Sequence, residues 1–278
     1  MHLLSERVAG QSIAQAISQL ENDIRARPAD ADLRAALTQL LCLAGNWTRA
    51  RAQLKSWLAL KPIAGPTVTL LDQAIAGEIE RQQVFAGQSR PQILNHGRDW
   101  VNKMVDALQA ETRGENDFAA QLRAQALDEC PLNPGRLTLS AGGENTDEEQ
   151  HTFDWLADGD SRLGPICELA INGVYYWVPF GAIAEINFLP PGSAGDLVWR
   201  HSRVSLIDGQ EQVCQIPVRY PFGLQAGNDE LLARTTVWSQ PTEDRFIGHG
   251  QKTWLNDQND YPLLSLVALS FSQNVSAA

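Results

Sequence analysis

The chain has 278 residues, of which 44% are hydrophobic and 20% are charged, so it is long enough for two domains and can bury a core. Its formal net charge of -11 argues against nucleic-acid binding, which requires a basic surface, and favours a basic protein segment as a partner. The sequence has no run of about 18 apolar residues, so we predict no membrane partner.

Residues 1 to about 131 have the composition and periodicity of α-helices. They are rich in Ala, Leu, Gln, Arg and Glu, and apolar side chains recur every three or four residues. Pro28, Pro62 and Pro131 would each break a helix interior, so we expect helices to end next to them.

Part of this helical half repeats after 34 residues, which is the tetratricopeptide period. The recurring positions are Ala16, Leu20, Ile24 and Pro28 in the first copy, and Ala50, Leu54, Leu58 and Pro62 in the second. The small alanine would let two helices approach closely. Because Arg34, Thr38 and Leu41 stand where the consensus has Trp, Gly and Tyr, an irregular bundle with chance periodicity stays open.

The pattern changes at residues 133–150, where Gly, Pro and acidic residues dominate and the helical period stops. From residue 151 the chain has short strands and turns without βαβ alternation, and residues 263–271 are predicted to form a closing strand. We predict a multidomain α and α+β fold. A tetratricopeptide-like helical domain covers 1–132, a linker covers 133–150, and a smaller stranded α+β domain covers 151–278.

Two β-hairpins are predicted in the second half. Asn172-Gly173 and Asp208-Gly209 each separate two apolar runs, and these dipeptides favour two-residue hairpin turns. Residues 228–234 are predicted to form a short helix, with Asn228 or Asp229 as its N-terminal cap.

An acidic group is the first candidate for chemistry. Asp154, Asp158, Asp160 and Glu168 lie close in sequence, which would suit acid–base catalysis or a cation site. However, the spacing lacks the calcium-loop pattern, and Arg162 can neutralise Asp160. The favoured interpretation is a turn in which Asp side chains accept backbone N–H groups, with a hydrolase as the alternative.

No other catalytic, metal or cofactor motif is present. The five histidines and four cysteines lack metal-ligand spacing, and there is neither a nucleophile elbow nor a phosphate loop. We therefore predict no metal and no cofactor. Scattered cysteines, with no basic-then-apolar leader at the N-terminus, favour a reducing cytoplasm.

The aromatic run 174–178 is a candidate partner surface. Alternation along a strand places Tyr175 and Trp177 on one face. One face of this strand must be core, whereas the other is available to a partner, because Tyr and Trp are favoured at interface hot spots. We take Tyr175 and Trp177 as candidate partner-binding residues, although core packing is the more general expectation for any one aromatic ring.

Residues 27–50 resemble the N-terminal half of the ImpE/TagJ family of bacterial type VI secretion accessory proteins. In the C-terminal half the resemblance lies in DGDSRLGP at 158–165, GVYYWVPF at 173–180, DLVW at 196–199, PVRYP at 217–221, LLARTTVW at 231–238, GHGQ at 248–251 and PLL at 262–264. Together these motifs are specific and span nearly the whole chain. This chain has Gly159 where the family usually has alanine.

The resemblance implies a helical domain followed by an α+β domain, and a cytoplasmic accessory role at the contractile sheath. It implies binding to the small sheath subunit, through a helical segment near that subunit's N-terminus, and thereby a link to the AAA+ ATPase that recycles contracted sheath. It brings no enzymatic activity, no cofactor and no residue-level binding site. A self-assembling structural part is a further alternative.

The binding residues are therefore predicted from helical geometry. In a tetratricopeptide-like unit the first helix of each pair lines the concave face, and here that helix spans roughly 32–44. Its inner face is predicted to carry Asp32, Ala35, Gln39 and Cys42. Small Ala35 and Cys42 would leave room for a partner helix, and Asp32 and Gln39 would orient it. Contact with a neighbouring helix or with water is the alternative.

Overall fold

The structure, a computed structural model, describes residues 10–94, 98–140, 148–222 and 226–272. Within these ranges, the N-terminal part of the chain forms six α-helices. They are α1 (Ile13–Ala26), α2 (Ala31–Leu43), α3 (Trp47–Leu60), α4 (Gly65–Phe85), α5 (Arg98–Thr112) and α6 (Asn116–Glu129). None of the helices in the described ranges is long and apolar enough to cross a membrane.

The helices begin and end where the sequence signals lie. Ser12 and Gln15 form a reciprocal capping box at the start of α1, and Asp30 caps α2 by accepting backbone N–H groups. The helix α3 ends just before Pro62, which opens a short 3₁₀ turn into α4. Successive helices pack on each other from α1 to α4, as do α5 and α6. The repeat positions Ala16, Leu20, Ile24, Ala50 and Leu54 are buried, whereas Leu58 is 39% exposed.

The remainder is built on β-strands. In chain order these are β1 (Gln92–Ile93), β2 (Gly135–Leu139), β3 (Glu149–Phe153), β4 (Ala157–Asp158), β5 (Ile166–Ile171), β6 (Val174–Pro179), β7 (Ile183–Phe188), β8 (Trp199–Leu206), β9 (Glu211–Pro217), β10 (Thr236–Thr242), β11 (Arg245–Gly250), β12 (Thr253–Leu255), β13 (Asp260–Pro262) and β14 (Leu266–Phe271). Helices followed by a large mixed sheet confirm the predicted fold class.

One nine-stranded sheet organises the second half, in the order β1-β6-β5-β9-β8-β7-β14-β2-β3. The short edge strand β1 runs parallel to β6, and the other neighbouring pairs are antiparallel. A two-stranded hairpin, β10–β11, and a three-stranded sheet, β13-β12-β4, lie outside it. The apolar core of the sheet includes Val178, Ile186 and Leu269.

Both predicted hairpins are present. Asn172 and Gly173 have φ of 51° and 87°, the left-handed pair that a tight β5–β6 turn requires. The short helix, α7 (Asn228–Leu231), is also present, but the prediction of its cap was wrong, because Gly227 occupies that position. The Asn228 side chain instead accepts the backbone N–H of Ile13 at the start of α1, at 3.2 Å.

The helical and stranded parts share buried surface. The strand β1 lies between α4 and α5 in the chain yet pairs with β6. Trp47 of α3 packs on Trp199 of β8, with ring centroids 5.7 Å apart. Within the predicted linker, residues 135–139 form β2, while 141–147 lie outside the described residues. The position of the domain boundary therefore stays a prediction.

We expect limited proteolysis to cut first within residues 135–150, because exposed glycine-rich acidic linkers are preferred cleavage sites. The strand β2 is hydrogen-bonded on both sides, so we expect the cut to fall outside it. Digestion with a glutamate-specific protease, followed by intact-mass measurement, would locate the site after Glu144 or Glu148. A first cut inside 27–62 or 175–180 would contradict the two-domain division.

Candidate functional site

Asp158 and Asp160 form two successive turns at the end of β4. The backbone N–H of Asp160 donates to Asp158 Oδ1 at 3.0 Å, and that of Arg162 donates to Asp160 Oδ1 at 2.9 Å. The Arg162 guanidinium also holds both oxygens of Asp160, with Nε at 2.8 Å and Nη2 at 2.5 Å. The expected turn, neutralised by Arg162, is confirmed, whereas Asp154 is exposed and takes no part in it.

Asp160 also fastens the outer hairpin β10–β11 to this turn. The backbone N–H of Gly248 in β11 donates to Asp160 Oδ2 at 3.0 Å. Gly248 lies against Tyr220, where a Cβ would be 2.2 Å from the ring, and a Cβ at Gly159 would be 2.5 Å from the ring of Trp238 in β10. Two positions without side chains therefore let the hairpin pack against the turn.

Asp158 is the first member of a series of buried ion pairs that extends to helix α4. Lys252 Nζ lies 2.6 Å from Asp158 Oδ2 and 2.6 Å from Glu168 Oε2. On its other side, Glu168 receives the Arg81 guanidinium through Nε at 2.6 Å and Nη2 at 3.1 Å. This bidentate contact fixes α4 across strand β5. The close approach is possible because Gly77 lies where a Cβ would be 2.9 Å from Ala170.

Tyrosine and tryptophan side chains supply further hydrogen bonds to these ion pairs. The Tyr175 hydroxyl donates to Glu168 Oε1, and Trp177 Nε1 donates to the Tyr175 oxygen at 2.7 Å. On α4, Glu78 lies 3.4 Å from Arg81 and accepts from Trp199 Nε1 at 3.2 Å. Of the two aromatic residues that sequence analysis singled out, Tyr175 thus donates to a buried carboxylate and Trp177 donates to the Tyr175 oxygen.

Arg219 connects these ion pairs to helix α2. Its guanidinium Nη1 donates to the carbonyl of Leu43 at 2.7 Å, and Nη2 donates to that of Cys42 at 3.3 Å. These are the last two carbonyls of α2, where the helix supplies too few N–H donors, and that of Cys42 also accepts the Gly45 N–H at 3.0 Å. Nη1 also reaches the carbonyl of Leu231 at 2.5 Å, and the Arg219 carbonyl accepts from Arg81.

These eight charged side chains form what we call the buried ion network. Its members are Glu78, Arg81, Asp158, Asp160, Arg162, Glu168, Arg219 and Lys252. Four carboxylates face four cations, so the network is neutral overall. Burial alone would raise the pKa of Glu168, but Arg81 and Lys252 hold that pKa well below its usual range. Burial raises the pKa of Asp158, against the opposing effect of Lys252.

The network is a poor setting for catalysis. The Glu168 side chain has no exposed surface, and those of Asp158 and Lys252 are 1% exposed. A catalytic carboxylate must reach substrate or water, whereas these groups already bind one another. Across the described ranges, no group of three or more His, Cys, Asp or Glu side chains is placed to hold a metal ion.

The candidate partner-binding residues fall into two sets. On α2, Asp32 is exposed, Ala35 and Gln39 are half-buried, and Cys42 is buried, with burial raising the pKa of its thiol to about 12. The 3₁₀ helix 194–197 packs against α2. Only the N-terminal part of the predicted inner face, marked by Asp32, therefore remains open.

Tyr175 and Trp177 lie beneath helices. Both have 0% exposure and pack with Val84 of α4 and with Trp100 and Met104 of α5. The face of β6 that carries them is thus covered by the helical part of the chain. A partner could contact these two side chains only if α4 and α5 moved away.

The chain is similar to known proteins over nearly its whole length. The ImpE protein family matches residues 150–270. The type VI secretion system accessory component TagJ of Pseudomonas aeruginosa is 34% identical over 270 residues, which are 97% of this chain and 91% of that protein. The chain belongs to the ImpE family. Protein VPA1032 of Vibrio parahaemolyticus has the same fold, with a TM-score of 0.82, 24% identity and 95% of each chain covered.

The motifs that carried the resemblance to the ImpE family map onto the buried ion network and its packing. DGDSRLGP supplies Asp158, Asp160 and Arg162, and PVRYP supplies Arg219. GHGQ supplies Gly248, whose N–H binds Asp160. Lys252, Glu168 and Arg81 were missed as their partners, because nothing in the local sequence indicates contacts between such distant positions.

We expect Asp160→Ala to lower the melting temperature, because it removes the acceptor of Arg162 and of the Gly248 N–H in a fully buried place. The folded fraction should keep its partner affinity. Differential scanning fluorimetry and a binding titration would test both statements. A fully stable variant that instead lost a measurable hydrolytic activity would favour the enzyme.

Proposed function

We propose that this member of the ImpE family is a cytoplasmic, non-enzymatic accessory protein of a type VI secretion system. It binds the small contractile-sheath subunit through a helical segment near that subunit's N-terminus. It is thereby linked to the AAA+ ATPase that recycles the sheath. The observation that carries the proposal is the 34% identity to TagJ over nearly the full length of both chains.

In this proposal the partner segment binds the helical half at the start of α2. Asp32 is exposed at the start of α2 and pairs with Lys61 at 3.0 Å, so a partner cation could exchange with Lys61 at this surface. Ala35 and Gln39 follow on the same face, one helical turn apart. We propose Asp32, Ala35 and Gln39 as parts of this binding surface, with Asp32 as the exposed residue among them.

A hydrolase built on Asp158, Asp160 and Glu168 is the alternative function. It would need one of these carboxylates to face a cleft and to exchange protons near neutral pH. Instead, Glu168 accepts hydrogen bonds from Arg81 and Tyr175, and its pKa is held far below the neutral range. The geometry therefore favours the adaptor.

Calorimetric titration with a peptide from the N-terminal region of the cognate sheath subunit tests the proposal. We expect saturable binding that Ala35→Trp weakens by about tenfold, because the indole would fill the space for the partner helix. Asp32→Lys provides a second variant at an exposed position, should Ala35→Trp disturb packing. Ala59→Trp, at an exposed alanine of α3, is the matched control and should leave affinity unchanged.

The outcomes test the identity of the partner and the position of the binding site separately. No binding of either the cognate peptide or the intact subunit to the wild-type protein would refute the adaptor function. Binding that survives both Ala35→Trp and Asp32→Lys would keep the partner and move the site elsewhere.

A further inference from the structure

A groove runs between helix α6 and the tip of hairpin β10–β11. It consists of two adjoining cavities of about 490 and 620 Å³, which share Arg123, Leu127 and Asp244 in their walls. We call it the α6–hairpin groove. The buried ion network fixes one wall, because Asp160 holds β11 through Gly248.

The floor of the groove is apolar and open to solvent. Leu127, Leu132 and Phe246 line its larger cavity and are 50%, 65% and 41% exposed. On α6, Ala120 and Ala124 precede Leu127 on one helical face, and both are exposed. Small side chains there leave room for another helix to approach closely. A contiguous exposed apolar surface of this kind marks an interaction site.

The rim of the groove is acidic. Asp117, Glu243 and Asp244 are exposed on it, and within the described part of the chain no ion pair involves their side chains. The two cations in the wall, Arg123 and Arg245, both bind Glu111. Their charge is therefore partly cancelled within the protein, and the free charge that a partner would meet is negative.

We propose that the α6–hairpin groove docks a basic amphipathic helix of a partner protein. The apolar side of that helix lies on Leu127, Leu132 and Phe246, and its Lys or Arg side chains face the rim carboxylates. An acidic helix is disfavoured because it would meet Asp117, Glu243 and Asp244 as like charges. The acidic rim and the apolar lining favour such a helix whichever partner protein supplies it.

The groove between α3 and α4 differs in charge from the α6–hairpin groove and serves as a control within the same protein. It is also open, with a volume of about 950 Å³, but its exposed charges include Arg51 and Lys55. Arg51 is paired with Asp72, and Lys55 has no ion-pair partner among the described residues. A basic helix should therefore bind the acidic α6–hairpin groove in preference to the α3–α4 groove. Ala52→Trp in the α3–α4 groove is the matched control for Ala124→Trp.

The test uses two model peptides, LKKLLKLLKKLLKL and LEELLELLEELLEL, which share an apolar face and differ in charge. Fluorescence anisotropy with the full chain should show saturable binding of the lysine peptide and much weaker binding of the glutamate peptide. Ala124→Trp should weaken lysine-peptide binding by about tenfold or more, whereas Ala52→Trp should not. Combined Asp117→Asn, Glu243→Gln and Asp244→Asn should weaken it and reduce its dependence on salt.

The inference would be overturned if the lysine peptide did not bind the wild-type protein. It would also be overturned if the peptide bound Ala124→Trp and wild type with equal affinity. Equal binding of both peptides would overturn its electrostatic part and leave an uncharged apolar site. Leu127→Ser, at an exposed position, replaces Ala124→Trp if that variant melts at a lower temperature. The intact sheath subunit forms a separate arm, since its failure to bind wild type would refute the proposed function and leave the peptide result standing.

Discussion

Replacing Glu168 by alanine is expected to lower the free energy of unfolding by about 3–5 kcal/mol, the usual cost of removing one partner from a buried ion pair. The Glu168 carboxylate is fully buried between Arg81 and Lys252, so both cations would lose a partner in a buried place. Urea denaturation followed by tryptophan fluorescence would measure the change. Glu185→Ala, at an exposed glutamate of β7, is the matched control and should be nearly neutral.

The pH dependence of the same site gives an independent measure. Because the folded-state pKa of Glu168 lies below the unfolded value of about 4.3, its stabilisation is present above that pH and disappears as pH falls. Gln at this position resembles the protonated acid. The stability difference between wild type and Glu168→Gln should therefore be largest near neutral pH and shrink below about pH 4. A difference that stayed constant from neutral to acid pH would contradict the charged contact.

The sequence predicted the part of this site that is local. An Asp two residues before an amide can accept its N–H, and Arg162 can reach Asp160 without any tertiary structure, so the turn was predictable. The contacts of Glu168 with Arg81 and Lys252 join positions more than 80 residues apart. Such pairs depend on how α4 crosses β5, which no local pattern specifies.

The same limit applies to the fold. The β5–β6 hairpin follows from Asn172-Gly173 alone, because that dipeptide accepts positive φ at both positions. The neighbours of the hairpin do not follow from it, since β9 lies beside β5 and the short β1 lies beside β6. Alternation correctly placed Tyr175 and Trp177 on one face of β6, but only the packing of α4 and α5 decides that this face is buried.

These long-range contacts bear on the proposed function. An adaptor gains affinity when its binding surfaces are preorganised, because less conformational entropy is lost on association. The buried ion network joins α4 to β5 and holds hairpin β10–β11 against the turn after β4. It therefore holds the C-terminal end of α2, through Arg219, and one wall of the α6–hairpin groove, through Asp160.

Arg219→Met is the second change from which we expect a large effect, a loss on the order of 3 kcal/mol in the free energy of unfolding. The guanidinium is buried, and burial lowers its pKa to about 10, yet it donates to the last carbonyls of α2 and to Leu231. Methionine keeps the apolar stem but supplies no donor. The Leu43 carbonyl would then lose this donor in a buried place, whereas the Cys42 carbonyl would keep the N–H of Gly45.

The expected consequence is local as well as global. Because Arg219 joins the end of α2 to the stranded half, its loss should speed amide hydrogen exchange in α2 before it affects α6. Hydrogen-exchange mass spectrometry can follow both helices in one experiment, alongside urea denaturation. Arg203→Met, at an exposed arginine of β8, is the matched control. Equal protection of α2 in Arg219→Met and wild type would show that this guanidinium does not hold the helix.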